Sequence, residues 1–145
     1  MPRIKVAHKR NEDLEEKQDL VKVGDFTDKY NKVLGTNIKH LEIFRSKGLP
    51  AHMVKRKHYK CLKYIDYIPD IIANPDYVGI NPNEAGDSIE LVKRYEDNVL
   101  LGIKLNIDGT YLYVSTMYDV QETKVSRRLH RGRLKKFEVD NTHEK

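Results

Sequence analysis

Between residues 49 and 72 the apolar positions recur every three or four residues: Leu49, Met53 and Val54, then Leu62, Ile65, Ile68 and Ile72. That spacing lays one apolar stripe along helical chain. Pro69 belongs at a kink or in the first turn of a new short helix. Asn74-Pro75 ends the run, because the residue before a proline avoids helical angles. From residue 77 onward the period shortens to two. Residues 77–80 read as extended, 81–86 as a turn-rich loop, 88–95 as an alternating strand and 96–98 as a turn. Residues 99–107 alternate over their second half, Asp108-Gly109 is a strong hairpin signal, and 110–118 (TYLYVSTMY) is rich in β-formers. Three strands joined by two short turns predict an antiparallel meander. Residues 121–134 then read as a basic helix with Val125, Leu129 and Leu134 facing inward.

Upstream, Val21 and Val23 predict a short strand stopped by Gly24. Asp25 or Thr27 caps a short helix through Leu34, which Gly35 ends. Residues 38–44 (IKHLEIF) lean toward β and are punctuated by Ser46-Lys47-Gly48. Residues 1–20 read as a polar arm, 21–138 as one domain and 139–145 as a frayed tail. The fold class this order predicts is α+β: N-terminal helices packed on one face of a twisted antiparallel meander, followed by a basic C-terminal helix. The opposite face of the sheet is then free to carry a site.

Charge adds direction to this picture. The formal net charge is +5, and its distribution matters more than its size. From Arg45 to Lys63 there are seven Lys or Arg and no acid, and from Arg127 to Lys136 six Lys or Arg and no acid. Acids concentrate near residues 12–19 and 84–97, where they are expected to lie away from a binding cleft. Two acid-free basic blocks suit a polyanion-binding face, and they equally suit two solvated helical faces. No apolar run approaches the length of a membrane span, and residues 1–17 hold no signal-like apolar segment. Cys61 is the only cysteine, so no intramolecular disulfide forms and a reducing cytoplasm is the expected setting. In an apolar-periodic segment Cys61 reads as a small, buried, silent core residue.

The motifs of several enzyme classes are missing. There is no phosphate-binding glycine loop, no dinucleotide fingerprint, no HExxH and no GxSxG, and one cysteine excludes a cysteine-rich zinc site. Asp66 and Asp70 stand four apart, but Pro69 between them argues against a metal pair; neither metal nor cofactor is expected. What remains is His, Lys, Arg, Thr and Tyr. Those types suffice to cleave RNA without metal. A base takes the 2′-OH proton, an acid protonates the leaving 5′-oxygen, and cations or hydroxyl donors hold the developing charge.

The stretch GLPAHMVKRKHYKCLKYIDYIPDIIANPDYVGIN, with histidine, a basic run ending in histidine, then a helical run closing on IIANPDYVG, resembles phage-associated Barnase-EndoU-colicin-RelE (BECR) nuclease domains. SIELVKRYEDNVLLGIKLNIDGTYLYVSTMYDVQETKVSRR resembles the same domain type, with Thr116-Met117-Tyr118 as its closing Thr-x-Tyr signature. The resemblance spans roughly residues 25–136. It implies helices followed by a sheet and metal-independent RNA cleavage, in a setting of toxins, prophages or mobile elements. It assigns catalytic roles to His52, His58, Thr116 and Tyr118. It assigns RNA contacts to Lys55, Arg56 and Lys57 and to Lys124, Arg127 and Arg128; Lys60 and Arg131, in the same basic stretches, are further candidates for RNA contacts. Lys104, on the middle strand, is within reach of a phosphate. On one continuous helix His52 and His58 would point about 240° apart, so they share a site only where the helix bends or ends between them. Thr116 and Tyr118 share a face by the period of two.

The resulting expectation is an endoribonuclease acting by 2′-OH transesterification on an RNA such as tRNA or rRNA, with a cognate inhibitor or antitoxin protein as partner. Its alternative is a non-catalytic RNA-binding or protein-interaction module on the same scaffold.

Overall fold

The computed structural model describes residues 19–81 and 88–137. The elements run β1 (Leu20–Phe26), α1 (Asp28–Leu34), β2 (Leu41–Ser46), α2 (Leu49–Lys55), a 3-10 helix (Tyr59–Tyr67), α3 (Ile68–Ala73), β3 (Tyr77–Asn81), β4 (Ser88–Arg94), β5 (Asn98–Leu105), β6 (Leu112–Asp119), α4 (Glu122–His130) and β7 (Leu134–Lys136). The seven strands form one sheet in the order β1-β2-β6-β5-β4-β3-β7. Every pairing is antiparallel except β2 with β6. This is an α+β fold, and the β4-β5-β6 meander lies where the sequence predicts it. The arm over 1–20, save residues 19 and 20, and the tail over 139–145 lie outside the described residues.

The main core sits on one face. Ile89 and Leu91 of β4, Val99, Leu101 and Ile103 of β5, and Leu112, Val114 and Met117 of β6 meet Met53, Cys61, Tyr64, Ile68, Ile71 and Ile72 from the helical segment. Tyr30 of α1 donates its hydroxyl to the Ile72 carbonyl and ties the first helix to the third. Cys61 is fully buried, in agreement with its reading as a core residue.

Three expectations need correcting. The face opposite the N-terminal helices is not left free. Val125 and Leu129 of α4 pack with Val92, Leu100, Val120 and Leu134 into a second, smaller core on the opposite face, so that face is partly roofed. The basic helix also stops earlier than its pattern suggests, and Leu134 belongs to the edge strand β7 beside Gly79 of β3. Finally, residues 59–67 are 3-10 rather than α-helical. The tighter winding there ends at Ile68-Pro69, where proline opens α3 as its N-terminal turn allows.

Candidate functional site

The second face of the sheet carries polar chemistry between its strands. Register places Gly79, Glu90, Gly102 and Thr116 side by side on β3, β4, β5 and β6, and Tyr77, Val92, Leu100 and Tyr118 in the next row. A bulge at Ser115 sets this register: Gly102 faces Thr116 while Ile103 faces Val114. The Ser115 hydroxyl donates to the Gly102 carbonyl at 3.1 Å and closes the bulge. The bulge also keeps Thr116 and Tyr118 on the same face as Glu90. Gly102 has to be small. A Cβ there would lie 2.7 Å from Thr116 Cγ2.

β2 pairs with β6 only at Ile43–Leu112 and Phe44–Tyr113, so the later half of β6 has no strand on that side. The end of α2 fills the gap. There Lys57 adopts φ 63°, its N–H donates to Val54 O at 3.0 Å, and the N–H of His58 donates to Met53 O at 2.8 Å. This pair of bonds around a left-handed residue is a Schellman turn. It supplies the bend between His52 and His58 that a shared site requires. It delivers the His58 ring to Tyr118, at 5.5 Å between centroids. His52 stays exposed on α2, one position before the buried Met53, and no side-chain partner for it appears among the described residues. The structure thus brings together His58, Tyr118 and, two residues along the strand, Thr116, and it does not join His52 to them.

The other wall is α4. Its N-terminus is pinned by Arg94, which pairs with both oxygens of Glu122, and by Asn98, which donates to Glu122 at 3.1 Å. These bonds hold the Glu122 carboxyl below the usual carboxylate range. Lys124, Arg127, Arg128 and Arg131 stand at i, i+3, i+4 and i+7, so they share one helical face beside the apolar Val125 and Leu129. A second Schellman turn closes this helix. The N–H of Gly132, at φ 78°, donates to Leu129 O at 3.1 Å, and that of Arg133 to Arg128 O at 2.9 Å. The turn folds Arg133 back beside Arg128. Lys124, Arg127, Arg128, Arg131 and Arg133 together line a pocket of about 150 Å³.

Beneath the pocket lies the one charged residue fully buried among the described residues. Glu90 is 3% exposed, and it pairs with Arg128 Nη1 at 3.3 Å and Arg133 Nη2 at 3.5 Å, with Asn81 Nδ2 at 3.4 Å. The sequence reading missed Glu90, Arg133 and Asn81. One signal was present: glutamate interrupts the apolar run Ile89 to Val92 in the middle of a strand, and a carboxylate is not buried there without partners. Gly132 was another, since glycine after a basic helix marks the turn that returns Arg133.

The first basic block is arranged differently. Lys60 lies 3.7 Å from Asp119 and 4.0 Å from Asp97, and Lys63 lies 2.9 Å from Glu96 and 3.6 Å from Asp97. The acids at 96 and 97 therefore do not lie away from this block, as their position in the sequence had suggested. Lys55, Arg56 and Lys57 are exposed around the turn that carries His58. Lys104 sits on β5 opposite Tyr113, one pair along from the bulge. No group of three or more metal-ligating side chains occurs among the described residues, and no helix there is long and apolar enough to cross a membrane.

A family model described as phage-Barnase-EndoU-ColicinE5/D-RelE like nuclease3 matches residues 21–127. No curated protein and no solved structure gives a match.

Proposed function

The chain belongs to the phage-Barnase-EndoU-ColicinE5/D-RelE like nuclease3 family, and from that premise we propose that it is a metal-independent endoribonuclease whose reaction centre is His58, Thr116 and Tyr118. The observation that carries this reading is the position of Tyr118. Its ring meets His58 on one side and packs against the α4-bearing core on the other. A proton-transfer group and a cation-lined wall thus share one surface.

The reaction is transesterification. The 2′-oxygen attacks phosphorus, the P–O5′ bond breaks, and the products are a 2′,3′-cyclic phosphate and a 5′-OH. One proton leaves the 2′-OH and one is given to the 5′-oxygen. His58, whose imidazole can both accept and donate a proton, serves one of these transfers. The Thr116 and Tyr118 hydroxyls donate to the non-bridging oxygens where negative charge accumulates, and the α4 cations hold the neighbouring backbone of the strand. His52 remains a candidate for the second transfer only if bound RNA reaches over α2. Lys55, Arg56 and Lys57 lie beside His58 and would take the strand on that side, with Lys104 on the sheet floor.

Family membership favours nuclease chemistry. A substrate of tRNA or rRNA, a toxin role, a cognate inhibitor and a cytoplasmic site of action are part of the proposal. The test is incubation with bulk tRNA and rRNA, with and without EDTA, followed by mapping of the ends. Cuts that persist in EDTA and carry 2′,3′-cyclic phosphate and 5′-OH support the reading. Cuts lost in EDTA refute the metal-free mechanism. Salt-sensitive binding without any cut supports the alternative, a non-catalytic RNA-binding module.

A further inference from the structure

We propose that the arginine pocket against α4 is a phosphate subsite separate from the reaction centre, and that Glu90 is its positioning residue. The proposal builds on the RNA-cleaving reading only in taking that phosphate to be one flanking the scissile one.

Charge comes first. Five cations line the pocket and one carboxylate underlies it, which leaves 5 − 1 = 4 positive charges around about 150 Å³. Such a group repels itself until an anion enters. The volume is below that of a typical small-molecule site, roughly 300–1,000 Å³, and suits a compact oxyanion with water.

Donor count comes second. Each guanidinium has five N–H donors. Arg128 and Arg133 each give one to Glu90, at 3.3 and 3.5 Å, longer than the ~2.7–2.9 Å of a tight charge-assisted bond. Arg133 Nε is buried and has no acceptor among the described residues. A buried donor without a partner is costly unless something occupies it part of the time.

The position of Glu90 comes third. A buried ion pair is poor value for stability, since apolar side chains of the same volume do as well. What it does supply is geometry. Glu90 stands on a central strand, and Gly79 and Gly102 flank it without side chains. A Cβ at Gly79 would lie 2.1 Å from Arg133 O, so the bare glycine lets the turn after α4 close onto the sheet. Glu90 then fixes the two guanidinium groups that this turn has brought together.

The separation from the reaction centre follows from the strands. Glu90 and Thr116 lie two strands apart, about 10 Å at the usual spacing, and His58 lies beyond β6. One phosphate cannot touch both groups, whereas two phosphates of one strand can.

The test uses inorganic phosphate and the intact chain, with binding followed by NMR shifts of arginine side-chain and backbone N–H groups at constant ionic strength. Saturable shifts at Arg128 and Arg133 are expected. The informative variant is Glu90→Gln. Charge alone predicts tighter phosphate binding when a carboxylate is removed. Positioning predicts the reverse, a loss of about three- to tenfold, because the guanidiniums are no longer held. Unchanged or tighter binding overturns the proposal. Should Glu90→Gln fail to fold, Arg133→Lys keeps the charge, removes the fork and leaves Glu90 paired with Arg128. It is expected to weaken phosphate binding by a similar factor, and unchanged binding overturns the proposal as well. On RNA, Glu90→Gln is expected to raise KM more than it lowers kcat. Intact phosphate binding with kcat lost would instead make Glu90 a proton-transfer group. Phosphate binding is read without RNA, so failure to cut RNA leaves this measurement standing, and failure to bind phosphate leaves the cleavage assay standing.

Discussion

α2 and α4 end on the same pair of hydrogen bonds. At the end of α2, Lys57 donates to Val54 O and His58 to Met53 O; at the end of α4, Gly132 donates to Leu129 O and Arg133 to Arg128 O. Each turn carries one residue of the candidate site just past a left-handed position, His58 in the first case and Arg133 in the second. They differ in what occupies that position and in what surrounds it. Lysine takes φ 63° at the first, at a steric cost that glycine at φ 78° does not incur. After the first turn Lys60 and Lys63 face Glu96, Asp97 and Asp119, while the second turn gathers five cations over a single carboxylate. Two acid-free blocks of similar charge along the chain, seven and six Lys or Arg, thus end in different surroundings, which the proposed reading makes a proton-transfer wall and a phosphate-holding wall. The difference comes from which acids the sheet brings to each.

The largest expected effect separates the two turns by chemistry. His58→Ala should lower kcat by about 10²–10⁴ with little change in KM, as removal of a general acid or base does. His52→Ala should change kcat by less than about threefold, because its side chain does not reach Tyr118. Steady-state cleavage of a defined RNA reads both. Equal losses would mean that the strand passes over α2 and that both histidines act.

A second comparison sets block against block. Arg127→Ala with Arg128→Ala should weaken RNA binding about tenfold and reduce the salt slope by about 0.7 for each lost phosphate contact on a single strand. Lys60→Ala with Lys63→Ala should leave both within error, since those lysines already face acids. Equilibrium binding at several salt concentrations distinguishes them. Matching slopes in the two double variants would restore the picture of two equivalent cationic arms.

Much of this arrangement was legible in the chain. The meander announced itself by alternation and by Asp108-Gly109, and Gly109 takes the positive φ that such a turn needs. The α4 cations and their apolar neighbours were legible from helical spacing. The three-residue β7 was not, because Leu134-Lys135-Lys136 continues a basic helical pattern, and only Gly132 interrupts it. Glu90 stands in the sequence as one polar residue within an alternating stretch. Its importance comes from Arg128 and Arg133, some forty residues away, which no local pattern connects to it. The contact of His58 with Tyr118 required Lys57 to adopt a conformation that its residue type disfavours, so sequence preference pointed away from the turn.

The two left-handed positions should answer substitution with opposite signs. Lys57→Gly should raise stability by about 1 kcal/mol by removing the Cβ conflict, and Gly132→Ala should lower it by about the same. Chemical denaturation measures both. A destabilising Lys57→Gly would show that the lysine side chain contributes more at this turn than its backbone costs.

The smallest effect uses Cys61 as a reporter of the field around the first block. Burial is the main cause that pushes its thiol up to about 12, and Asp119 and Asp97 add to it against the opposing Lys60 and Lys63. The local balance beside these lysines is therefore acidic, the opposite of what the sequence block implies. The folded thiol holds its proton more tightly than the unfolded one, whose ordinary pKa is 9.0. Its contribution to stability is thus complete below pH 9 and is lost as the pH rises toward 12. In Cys61→Ala the baseline shifts through lost packing, but the decline between pH 9 and 11 should be shallower than in the parent chain. Labelling by a thiol reagent at neutral pH should be slow on the scale of global unfolding, because the thiolate is scarce and covered. Asp119→Asn should speed labelling modestly at pH 9–10 by removing one of the charges that raise the thiol. Rapid labelling of the native chain, or a rate indifferent to Asp119, would mean that the lysines dominate at this helix and that the contrast between the two basic blocks is one of shape rather than of charge.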